Sequence, residues 1–132
     1  MAADIEERFE VIEECYEFML AYAAQGLASD KGSESGRQIR EFLDRGVNAL
    51  TGLTARCWEA MGDGRPSFLA VLERDASDSL AAMELVLAQP AISSQLIDNL
   101  NASVHLRALL TDVFLLGEVV RAQQVAAKSA TS

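Results

Sequence analysis

The 132-residue chain holds only one histidine, one tryptophan, two cysteines and two prolines. Each shortage closes a class of explanation. With only Pro66 and Pro90 to interrupt it, most of the chain is free to be helical. β-Branched residues are scattered and never alternate with polar ones, so no strand is predicted. No apolar run reaches the ~18 residues of a membrane span. The longest candidate, Leu109 to Val120, is interrupted by Thr111, Asp112, Gly117 and Glu118. Positive charge is short as well: 11 basic residues stand against 20 acidic ones, a formal net charge of −9. Phosphate backbones and anionic membrane surfaces repel such a chain, so neither nucleic acid nor a membrane is an expected partner. The acidic stretch Met1 to Glu10 is the reverse of a basic secretory leader. Two lone cysteines suit a reducing compartment, and the expected location is the cytoplasm.

What is present is Ala, Leu and helical timing. Half the residues are hydrophobic, enough for one domain to build a core without a disulfide or a metal. The expected organisation is a single domain over residues 1–132, with a loop at 28–36 and a flexible tail at 127–132.

Four stretches repeat with a helical period. Ile5, Phe9, Ile12, Tyr16, Met19, Ala23 and Leu27 are spaced 4-3-4-3-4-4 and define a first helix from about Ala3 to Leu27. From Cys15 onward it is apolar nearly all round, which calls for cover on every side. A second stretch, Gly36 to Met61, carries a heptad of Ile39, Leu43, Gly46, Leu50, Leu53, Cys57 and Ala60, with Ser33 or Ser35 as its cap. Arg37–Glu41, Arg40–Asp44 and Glu41–Arg45 are its expected surface pairs. Gly62 to Arg65 reads as a turn and Pro66 as the first position of a third helix, which runs to Ala88. The polar middle of that helix, Asp75 to Ser79, places it at the periphery. Pro90 separates it from a fourth stretch, about Ala91 to Ala126, either long and bent or broken near Asn99 to Ser103. Short connections between long helices predict an all-α, up-down-up-down four-helix bundle.

Candidate sites are few. Residues 1–28 carry Asp4, Glu6, Glu7, Glu10, Glu13, Glu14 and Glu17 against Arg8 alone. The helix macrodipole favours acids only in the first turn. Glu6, Glu10, Glu13, Glu14 and Glu17 are therefore candidate contacts for a basic partner, as a solvated outer face of the first helix. Trp58, expected to cluster with Phe42, Arg56 and Met61, is a candidate anchor for the same purpose. Tyr16, Tyr22, His105 and Asp112 are the candidates for a pocket. Asp112 would need Arg107 or Arg121 as its partner if buried. His105 lacks the Lys-Gly pair that follows the acceptor in phosphotransfer bundles, since Leu106, Arg107 and Ala108 follow it. With no Glu-x-x-His, a di-iron carboxylate centre is not expected, nor any other metal or cofactor. Cys15 and Cys57, offset by roughly 15 Å along antiparallel helices, are expected to be free, buried thiols.

These observations predict a non-enzymatic interaction protein: an assembly factor, accessory subunit or regulatory adaptor. It would use the acidic face of the first helix and an apolar surface shared by the first and fourth, as a homodimer or against a larger protein. The alternative is a small-molecule-binding bundle, or a small enzyme, with a pocket in its core.

Overall fold

The second helix of the chain shows how an element starts and stops here. Ser33 is extended, and its Oγ accepts the Gly36 amide at 2.9 Å, which satisfies a donor that a helix start leaves open. Helix α2 (Glu34–Leu50) then buries Ile39, Leu43, Gly46 and Leu50 on one side. The expected continuous helix over 36–61 is not observed. Thr51 is extended and Gly52 has φ +75°, a left-handed conformation that costs glycine little. Helix α3 (Leu53–Met61) restarts beyond it. Leu50, Leu53 and Cys57 are all buried, so the heptad spacing runs through the break and conceals it.

The computed structural model describes residues 2–61 and 67–131, and these form six helices and no strand. Helix α1 is Ala2–Ala23, shorter than expected because the chain turns at Ala24 to Gly26. Helix α4 is Phe68–Leu87. The expected turn at Gly62 to Arg65 and the placement of Pro66 lie outside the described residues. Pro90 lies between α4 and helix α5 (Ser94–Ala102), which starts under a Ser93 cap rather than at Ala91. The break falls in the expected window, at Ser103, whose Oγ accepts the Leu106 amide and starts helix α6 (Val104–Thr131). Residues 127–131, read as a tail, continue the helix; alanine-rich sequence has high helix propensity.

Neighbouring long helices run antiparallel, as cross-contacts show. Glu14 meets Arg45 and Phe18 stacks on Phe42 between α1 and α2. Gly46 faces Met83, and Arg40 reaches the Leu87 carbonyl, between α2 and α4. Ser79 donates to the His105 carbonyl at 2.9 Å between α4 and α6. Phe9 packs on Gly117 between α1 and α6. A Cβ on Gly46 would stand 2.7 Å from Met83 Cε and 3.1 Å from Cys15 Sγ. The glycine is what lets α1, α2 and α4 approach so closely.

Helix α4 is not peripheral. It packs on α2, α3, α5 and α6, and the Ser79 that made its middle look solvent-facing is buried with its hydroxyl satisfied. One apolar cluster draws on all six helices, from Ile5 and Met19 through Leu43, Leu53, Leu72 and Ile97 to Leu109. Full burial of each such side chain contributes ~1.5–3 kcal/mol.

Candidate functional site

The glutamates of α1 do not share one outer face. Glu14 turns to α2, where its Oε2 lies 3.3 Å from Arg45 Nη2. Glu6, Glu10 and Glu13 turn to α6 and, with Phe9 and Arg121, border a surface depression of about 430 Å³. Glu17 is exposed one turn beyond Glu13. The expected pairs within α2 are replaced too: Arg37 pairs with Glu34, Arg40 with Asp30 and Arg45 with Glu14. Trp58 is half-exposed on α3, and Phe42 is not beside it but stacked on Phe18, with ring centroids 4.6 Å apart. Arg56 instead reaches Asp4 and Glu59, each at 3.6 Å.

The four pocket candidates occupy separate places. Tyr22 is wholly buried and donates its hydroxyl to the Ile92 carbonyl at 2.7 Å. His105 is exposed at the start of α6, with Nδ1 3.8 Å from Asp78 Oδ2. Tyr16 borders a shallow depression with Val104, Arg107, Leu110 and Phe114. Asp112 is 3% exposed, and neither expected arginine serves it: Arg107 is exposed and Arg121 pairs with Glu118 at 2.9 Å.

The group that faces Asp112 is another carboxyl, Asp75 of α4. Burial, reinforced by the Asp75 charge, pushes the Asp112 carboxyl up to about 7. Its Oδ2 is enclosed without a donor. Two carboxylates cannot hydrogen-bond to each other, whereas an acid and a carboxylate can, so a proton on Asp112 is what makes the contact favourable. Burial also pushes Cys15 up to about 12 and Cys57 up to about 11, against the smaller opposing pull of Arg45 and Arg8. Both are free buried thiols, as expected, and at neutral pH neither offers a thiolate. Interior space beside Ile12, Met19 and Leu109 amounts to about 10 Å³, at the lower limit for one water and far below a ligand. Among the described residues no group of three His, Cys, Asp or Glu is placed to hold a metal ion, and no helix is long and apolar enough to cross a membrane.

Sequence reasoning missed a polar clasp at the end of the molecule where the 24–33 and 88–93 loops meet. Asp30 is buried; its Oδ2 accepts from Arg40 Nε at 2.6 Å and its Oδ1 from the Ile92 amide at 2.7 Å. Arg40 also donates to the carbonyls of Leu87 and Gln89. The Arg40 hydrogen bond, with the Ile92 amide, holds the Asp30 carboxyl below its ordinary value in spite of burial. Ser94 Oγ donates to the Tyr22 carbonyl at 2.6 Å and accepts the Leu27 amide at 2.9 Å. No local signal marks Asp30, because its partners lie ten to sixty-two positions away.

Among the described residues, most of the large exposed apolar side chains are on α6. Val104, Phe114, Leu115, Val119 and Val125 are each between 45% and 71% exposed, and Leu20 of α1 is 47% exposed one helical turn from Tyr16. Compared with known families, with characterised proteins and with solved structures, the chain has no match.

Proposed function

We propose that this chain is a non-enzymatic interaction protein, an assembly factor, accessory subunit or adaptor, that docks through the joint surface of α1 and α6. Its scaffold reads as four antiparallel layers, with α2 and α3 as one broken strut and α5 and α6 as another, equivalent to an up-down-up-down bundle. A reducing, cytoplasmic setting fits its two buried thiols.

The observation that carries this reading is the exposed apolar row on α6, a helix that also borders the carboxylates of α1 along another side. Leu20, Val104, Phe114, Leu115, Val119 and Val125 are large and exposed. Glu6, Glu10 and Glu13 stand along the depression that separates α1 from α6, and Glu17 is exposed one turn beyond Glu13. Apolar surface supplies affinity and a fringe of one sign supplies steering and choice of partner. The partner suited to it carries Lys and Arg around an apolar stripe. The pocket alternative gains nothing comparable, since Tyr16, Tyr22, His105 and Asp112 do not converge.

An affinity capture at low and high salt tests the reading, with the wild type beside a Glu10→Gln, Glu13→Gln, Glu17→Gln triple variant. Capture of a basic protein that weakens with salt and is lost in the variant is the expected result. Equal capture by both proteins at every salt concentration would remove the acidic fringe from the account.

A further inference from the structure

We infer that two copies of the chain associate through the outward face of α6, with the two helices antiparallel and the two-fold axis at Leu115. The inference rests on the reading of α6 as an interaction surface and names one of its occupants.

The outward residues of α6 are Val104, Ala108, Thr111, Leu115, Glu118, Ala122 and Val125, spaced 4-3-4-3-4-3. That is the timing of a helix–helix seam. All of them are exposed except Ala108, which is half-buried. Read from either end, the row has nearly the same sizes: valine, alanine, a polar residue, leucine, a polar residue, alanine, valine. Val104 and Val125, Ala108 and Ala122, and Thr111 and Glu118 lie equally far from Leu115 to within one position. A two-fold contact requires that what residue i meets on the second copy, its mate meets on the first. An antiparallel pair centred on Leu115 satisfies this at every level of the row, valine on valine and alanine on alanine.

Charge chooses the same place and the same direction. Each copy is strongly acidic, so approach through α1 is repelled. Helix α6 carries a small excess of base, with Arg107, Arg121 and Lys128 against Asp112 and Glu118. Antiparallel pairing sets Glu118 beside Thr111 of the second copy and one turn from its Arg107. Parallel pairing would stack Glu118 on Glu118 and Arg107 on Arg107. Phe114 and Val119, both exposed, widen the seam on its two sides. The small residues Ala108 and Ala122 allow close approach on either side of the centre.

Light scattering and site-directed cross-linking test this on the full chain. The native Cys15 and Cys57 are buried, so an introduced thiol is the one that a short bismaleimide reaches. Leu115→Cys should cross-link to itself. Val104→Cys alone should not, because the two copies of that position stand roughly 32 Å apart along the pair. A mixture of Val104→Cys and Val125→Cys should. Leu115→Glu should weaken self-association roughly tenfold or more and leave the monomer's thermal melt in place. Cross-linking of Val104→Cys to itself would mean a parallel pair and overturn the inference. A monomeric mass with no Leu115→Cys product would overturn it too. Such a monomer could still capture a basic partner through the α1 glutamates, in which case the interaction reading stands without the dimer. A dimer whose glutamates bind nothing is the converse result, and it keeps the seam.

Discussion

Asp30 and Asp112 are both withdrawn from water, and the protein treats them in opposite ways. Asp30 meets a guanidinium and a backbone amide, each within 2.7 Å, and is held as a carboxylate. Asp112 meets Asp75, and burial beside that second carboxyl favours its protonated form. The first arrangement ties two loops and the end of α4 together, so its value is structural and directional. The second adds little that an uncharged side chain could not supply. A buried charge is stabilising only when its surroundings complete its hydrogen bonds, and burial by itself does not reveal which case holds.

The contrast can be broken most severely at Asp30. Asp30→Ala leaves Arg40 and the Ile92 amide without their acceptor, and urea unfolding should show a loss of about 3 kcal/mol. A loss near zero would mean that water replaces the carboxylate readily. A smaller effect, and one of opposite sign, is expected at Asp112. Its folded value lies above its unfolded one, so the stability it contributes is fully present below pH ~4 and is lost as the pH rises through about 7. Asp30 is displaced the other way: its contribution is present above the unfolded value and disappears as the pH falls through the folded one. Asp112→Asn should therefore flatten the decline in Tm between acid and neutral pH, and above pH 7 it should raise Tm by on the order of a few degrees. An unchanged pH profile would show that Asp112 ionises normally. The smallest effect belongs to Tyr22→Phe, which removes one buried hydrogen bond to the Ile92 carbonyl. It should cost about 1 kcal/mol without altering the profile between acid and neutral pH.

The helices were legible in the sequence wherever a local pattern determines them. Ile5, Phe9, Ile12 and Met19 of α1 and Ile39, Leu43, Gly46 and Leu50 of α2 are buried, Ser33 caps α2, and the weak helix formers near Ser103 mark a true break. Thr51–Gly52 was not legible, because the apolar spacing is unchanged across it. The position of α4 was misread because Ser79 and Asp75 were counted as solvent-facing, when their partners are the His105 carbonyl and Asp112 on another helix. The surface pairs failed for a related reason: Arg40 and Arg45 choose acids on other segments over those on their own helix. For the candidate contacts, periodicity could not tell which neighbouring helix each glutamate faces. It placed Glu14 with Glu10 and Glu13, although a neighbouring helix claims Glu14 alone.

The clasp around Asp30 also changes how the polar stretch 28–36 should be regarded. Its composition is that of a tether, the kind of segment at which a chain accepts an insertion, a tag or a circular permutation. Here that tether is stitched at Leu27 and Asp30 to a second connection more than sixty positions away. Lengthening it would pull apart a joint rather than extend a loose end, so the stretch that looks most dispensable is among the least forgiving of revision.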